Sequence, residues 1–265
     1  MEIITVTSIS EIKGIINSAR NPSYTLQFRG QGCDNCDWKL RPSIVHQLDI
    51  QTVAEFKNQE FKLIEKFKKK IANSNCEHRI LQASSPTGFQ NEWLWLFQAQ
   101  HYRLPTRIMD WSLDWKRALY FSLNEPKHDS SDGQLWIYQS PIGNDLSEHL
   151  EGYLNVDPYN IVDTAIIIPS YHIVGNQSDY IASERQFHQM SRFLIQPDEE
   201  SLVPFEENHS YANNLIKLII PANSKSLIKN FIDPDIDGEE FFYIEEDSII
   251  LEIIRDIKQQ FLKPN

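Results

Sequence analysis

In the stretch LQFRGQG, residues 26–32, a single arginine stands between an aromatic ring and a glycine, at the end of a run that reads as a β-strand. A guanidinium there offers five donors in a planar fork, a geometry that matches phosphate or carboxylate oxygens in pairs. The same group can instead hold a loop in place. A second concentration of polar types lies in QAQHYRLPTRIMDWSLDWKRALYFS, residues 98–122, which brings Gln100, His101, Arg107, Asp110 and Trp111 onto a helix end and the turn after it. Such groups, set between strongly apolar segments, are costly to bury unless they are paired. Two readings follow. Arg107 and Asp110 form a pair that pins a turn, with Trp111 as core packing; or Arg29, His101 and Arg107 surround one pocket that accepts an anion.

Other patterns carry less. Cys33 and Cys36 are spaced C-x-x-C, and Cys76 with His78 would supply two more ligands, but one intervening residue in the second pair is unusual for tetrahedral zinc. Reduced loop thiols and no metal are the expectation. KLIEKFKKK, residues 62–70, fits the solvated face of an amphipathic helix better than a nucleic-acid patch. DPDIDGEE, residues 233–240, lacks the glutamate that a calcium loop needs at its twelfth position. The phosphate-loop, dinucleotide-binding, nucleophile-elbow and zinc-protease motifs are absent.

The 265 residues carry a formal net charge of −12, which disfavours bulk binding to DNA or to an anionic membrane. Three cysteines make no disulfide framework, so a reducing compartment is expected. With no signal-like N-terminus and no apolar run of spanning length, a soluble cytoplasmic protein is the expectation.

The elements that must position these residues follow from periodicity. IITV opens as a strand, and Ser8 or Ser10 caps a helix through EIKGIINSAR. Tyr24 to Phe28 is a strand and residues 30–37 a loop. Apolar residues from Val53 to Ile71 recur at helical spacing, and residues 73–90 read as a polar loop. EWLWLFQAQHY is a core helix; PTRIMDWS is extended; Ser112 caps a third helix, LDWKRALYFSLN. Strands are expected at 134–139, 164–168 and 215–220, and an amphipathic C-terminal helix at 248–262. Helices and strands mix without βαβ alternation. The expectation is one α+β domain over residues 1–265, a mixed central sheet flanked by helices, its core spanning about 20–232 and the C-terminal helix packed on it.

FRGQ at 28–31, QHYRLPTRIMDWS at 100–112 and ALYFS at 118–122 resemble the signature of the FRG domain family, named for its Phe-Arg-Gly motif. Leu40, Pro42 and Ser43 match its Leu-x-Pro-Ser; Arg185, Gln189 and Phe193 lie where it has an Arg…Gln-Gln-Gly…Phe run; residues 217–231 resemble its late strand-turn-helix. The chain departs from the pattern at Arg103, where the family has glycine, and at Met190–Ser191, where it has Gln-Gly. A more distant similarity links the Phe-Arg-Gly strand to arginine-type ADP-ribosyltransferases. It implies a similar fold and NAD as cofactor, with Arg29 on phosphate or ribose and Thr106 with Asp110 shaping the nicotinamide side. The cleft expected is walled by Arg29 and Gln31 at one strand end and by His101, Thr106, Arg107 and Asp110 on the other side, with Gln189 closing it. His101 would contact ribose, and Glu184 or Gln189 would face an acceptor, with Glu184 or Asp110 as the catalytic carboxylate. That reaction would suit a toxin or an anti-phage effector acting on a protein or nucleic acid. The competing expectation is a sensing or interaction module without catalysis, in which the same arginines are structural and the partner is a protein or nucleic acid.

Overall fold

A computed structural model describes residues 1–34, 38–74, 89–144, 146, 156–169, 190–232 and 248–261. The chain opens with β1 (Glu2–Thr5) and α1 (Ile9–Ala19), whose N-cap Ser8 accepts a hydrogen bond from the Glu11 amide. Next come β2 (Tyr24–Gln31), α2 (Ser43–Leu48), α3 (Val53–Ala72) and α4 (Gln90–His101). Then follow β3 (Met109–Ser112), α5 (Trp115–Leu123), β4 (Gly133–Pro141), β5 (Ile166–Pro169) and β6 (Ser191–Ile195). The last elements are α6 (His209–Ala212), β7 (Leu215–Ile220), α7 (Ala222–Lys229) and α8 (Ser248–Phe261). No helix among the described residues is long and apolar enough to cross a membrane.

The strands form one mixed sheet in the order β1-β7-β4-β2-β3-β6-β5, with β1 parallel to β7 and the other neighbours antiparallel. The architecture is therefore α+β, as the mixed pattern of periods implies. Three apolar clusters hold the layers together. Phe28, Leu135, Ile137 and Leu218 of the sheet pack on Ile12 and Ile16 of α1, Leu119 of α5 and Ile228 of α7. Ile168, Phe193 and Ile195 pack on Phe67 of α3, Phe97 of α4 and Ile254 of α8. Trp136, Tyr138, Trp111 and Leu194 form a third cluster under Leu40, Phe205 and Tyr211.

Two local features shape the middle of the sheet. β2 runs on through Arg29, Gly30 and Gln31, where a loop was expected, because its ladder with β4 continues from Tyr24 opposite Pro141 to Gln31 opposite Gln134. On its other side, β2 meets β3 only at Phe28 opposite Ser112 among the described residues. Beyond that pair the strands part and leave the β2 edge open at Arg29–Gln31. Gly30 is where α5 lies against the sheet: a β-carbon there would stand 1.7 Å from the Ala118 carbonyl oxygen. A glycine is needed for that approach, not for a turn.

The N-cap of α5 is Asp114, which accepts from the Lys116 amide at 2.9 Å. Ser112, expected in that role, accepts from the Asp114 amide at 3.0 Å instead, one step before the helix. Neither the short α2 nor the strand β6 was anticipated. Cys33 is disulfide-bonded, which corrects the expectation of a reduced thiol there. Cys36, Cys76 and His78, and the acidic stretch 233–240, lie outside the described residues.

The departure at Arg103 has a backbone meaning. α4 ends with Leu104 N–H donating to Ala99 O at 2.8 Å and Arg103 N–H donating to Gln100 O at 2.9 Å. This is a Schellman turn, and it places Arg103 at φ 64°, in the left-handed region. Arg103 also faces Lys258 of α8, whose pKa falls below the ordinary lysine value through burial and then through repulsion by Arg103. Replacing Arg103 with glycine should therefore stabilise the protein by about 1 kcal/mol, read as a higher midpoint in urea unfolding. Gly30→Ala should do the reverse and cost about 2 kcal/mol or more, because the obstructing atom is helix backbone and cannot rotate away.

Candidate functional site

Arg29 reaches across the gap between β2 and β3 and donates from Nη1 to the Asp110 carbonyl oxygen at 2.6 Å. Its Nε is buried with no hydrogen-bond partner among the described residues. Burial holds its pKa below the ordinary arginine value, partly offset by Asp110 and then Glu206, and the group remains a cation at neutral pH. Beside it opens a cavity of about 420 Å³. The open edge of β2 forms one wall, through Arg29, Gly30 and Gln31. Trp38, Lys39, Arg41 and Ser43 with His46 form a second, and Tyr120, Phe121, Asn124 and Glu125 of α5 a third. A smaller cavity of about 190 Å³ adjoins it, sharing Arg29, Gly30 and Phe121 and adding Asp110, Ser112 and Ser191.

Each wall is fixed by its own contacts. The Gln31 side-chain oxygen accepts from Gln134 Nε2 at 2.7 Å and Trp136 Nε1 at 3.1 Å. The second wall is tied down at both ends. Leu40 is fully buried, its amide donating to Glu206 Oε2 at 3.1 Å and its carbonyl accepting from Phe205 N–H at 2.8 Å. Ser43 Oγ accepts from the Thr106 amide at 3.0 Å and lies 3.2 Å from the Thr106 carbonyl oxygen. Glu206 has its pKa raised by burial, opposed by hydrogen bonds from backbone amides and by Lys39. Lys39 itself pairs with Glu207 at 2.8 Å. The result is a cleft that presents Arg29, Lys39, Arg41 and His46 beside three aromatic rings, with Glu125 as the carboxylate on its lining.

The remaining residues predicted for the site divide between bracing and other locations. Thr106 is fully buried; its hydroxyl donates to Gln100 Oε1 at 2.5 Å, and Gln100 Nε2 donates to Asp110 Oδ2 at 2.6 Å. This relay sets the turn whose carbonyl holds Arg29. Asp110 lines the smaller cavity and is exposed. His101 ends α4 half-buried, edge-on to Tyr102 at 4.8 Å, and lines neither cavity. Glu184 and Gln189 lie outside the described residues.

Arg107 does not face the cleft, and neither does it pair with Asp110. It is 1% exposed, with Nε donating to Glu60 Oε2 at 2.7 Å and Nη1 to Asp198 Oδ1 at 2.7 Å. Lys57 adds a second cation 2.6 Å from Asp198, and the Phe56 and Tyr159 rings lie 4.9 and 5.6 Å from the guanidinium. Burial alone would lower its pKa; Glu60 and then Asp198 more than offset that, and it ends above the ordinary value. A group so committed is scaffold. Arg107→Ala should cost about 3–5 kcal/mol in urea unfolding by stranding two buried carboxylates, whereas the half-buried Arg29→Ala should leave the fold close to wild type.

Sequence reasoning missed the second wall. Its signal was present in WKLRPS: Leu40 alternates with Lys39 and Arg41, so an inward leucine forces both cations outward. The third wall, in ALYFS, was quoted only as part of a signature.

No curated protein and no solved structure matches the chain. The similarity to arginine-type ADP-ribosyltransferases therefore has no match behind it. Residues 25–131 match the family model described as the FRG domain, a span that contains every residue named on the three walls of the larger cavity. The match to the FRG domain is confined to that span, and the cleft lies within it.

Proposed function

We propose that the cleft binds a nucleotide-type ligand, with NAD as the ligand in view. The observation that carries this reading is Arg29: a cation with a buried donor lacking a partner, on a cavity that also offers aromatic faces, in a chain of net charge −12. Like charges gathered on one cleft repel one another, and an anionic ligand would remove that repulsion. The forked guanidinium suits phosphate oxygens, and the ring of Phe121, 39% exposed, suits the face of a base. The cavity volume lies within the range of small-molecule sites.

ADP-ribosyl transfer is the reaction proposed if the site is catalytic, as in a toxin or anti-phage effector. Transfer passes through an oxocarbenium-like ribose, which a nearby carboxylate stabilises electrostatically. Asp110, which lines the smaller cavity together with Arg29, is the carboxylate that supports this reading. The acceptor would be a protein or nucleic acid.

Calorimetry with NAD on the wild type and on Arg29→Ala tests the reading. Loss of at least about tenfold in affinity is expected in the variant, with its circular dichroism unchanged. Absence of heat from the wild type at millimolar NAD would overturn the dinucleotide reading and turn attention to a macromolecular partner on the same surface.

A further inference from the structure

Arg41 repeats the situation of Arg29 on the facing wall. Its Nε is also buried with no partner among the described residues, and it lines the same cavity. The segment that carries it is fixed on both sides: Leu40 is held by Glu206 and Phe205, and Ser43 by Thr106. The Arg41 amide itself donates to the Lys39 carbonyl at 2.9 Å. The backbone that carries Arg41 is therefore held in place before any ligand arrives, which lowers the ordering cost of binding.

Two guanidinium groups on one cavity of about 420 Å³ repel each other, and of the carboxylates only Glu125 lines that cavity among the described residues. A single anionic group can satisfy one fork. Two linked anionic groups can satisfy both and remove the repulsion. We infer that Arg29 and Arg41 form a clamp for a diphosphate group, so that the cleft selects ligands with two linked phosphates over those with one. This rests on the nucleotide reading for the identity of the ligand, but the clamp itself depends only on the diphosphate.

The test is calorimetry with inorganic pyrophosphate, ADP, AMP and adenosine on the wild type, Arg41→Ala and Arg29→Ala, with melting curves to confirm that each variant is folded. Arg41→Met, which keeps the aliphatic stem, serves if the alanine variant melts early. The expected result is wild-type binding of pyrophosphate, and of ADP at least about tenfold more tightly than AMP. Removing the Arg41 guanidinium should bring ADP down to the AMP level while leaving AMP within about twofold of its wild-type affinity. Equal affinities for ADP and AMP in the wild type, or an Arg41 variant that keeps its preference, would overturn the clamp and leave nucleotide binding standing. Pyrophosphate binding without ADP binding would support the clamp and remove the nucleotide. Binding of neither would remove both.

Discussion

The buried ion cluster around Arg107 is the contact that joins distant segments of the chain. Arg107 lies on the segment between α4 and β3, Glu60 on α3, and Asp198 just after β6, so one guanidinium ties together three parts of the chain. Two cations, Arg107 and Lys57, face two carboxylates, Glu60 and Asp198, so the cluster is balanced in charge. Balance is necessary because an isolated buried charge costs several kcal/mol even after relaxation. The cluster adds little net stability, since much of the Coulomb attraction offsets desolvation. Its effect is on geometry: the adjacent Thr106 can then meet both Ser43 and Gln100, and Asp110 is held where its carbonyl meets Arg29.

The cleft is a consequence of two further constraints acting on β2. The pairing with β3 ends at Phe28 and Ser112, which opens the strand edge. The absence of a side chain at Gly30 lets α5 lie directly on that strand and bring Tyr120 and Phe121 to the opening. Phe28 meanwhile sits in the core cluster under α5. The three residues of the Phe-Arg-Gly motif thus do three different things: anchor the strand, present a cation, and admit a helix. α7 contributes from behind, where Lys225 Nζ donates to the carbonyls of Gly32 at 2.8 Å and His128 at 2.9 Å and closes the strand end.

Long periodic segments were legible in the sequence. α3 and α8 follow from the spacing of Phe56, Leu63, Phe67 and Ile71 and of Ile250, Ile254 and Ile257, because each buries one stripe. The end of β2 was misread because Arg-Gly-Gln has low strand propensity, and the ladder with β4 overrides propensity. α2, six residues long, is too short to show a period. The partners of Arg107 stand 47 and 91 positions away, and no local pattern reports a contact of that range. Asp110 was close in sequence and of the right charge, which made it the natural partner on paper. The backbone between them turns it toward Gln100 instead.

The two classes of arginine in this fold differ by what surrounds them rather than by depth alone. Arg107 finds carboxylates for its fork, its Nη2 ion-paired with Glu60 although without a hydrogen bond of its own, and rings for its faces. Arg29 finds a backbone carbonyl, a weaker acceptor that leaves its charge uncompensated. Asp110 and Glu206 are near enough to raise its pKa, but burial outweighs them, and no carboxylate closes an ion pair with it among the described residues. A protein that needed only a brace at this place would place a carboxylate against the guanidinium, as it does at Arg107. Leaving a desolvated cation half-answered costs stability, and an anion bound in the cleft would offset that cost.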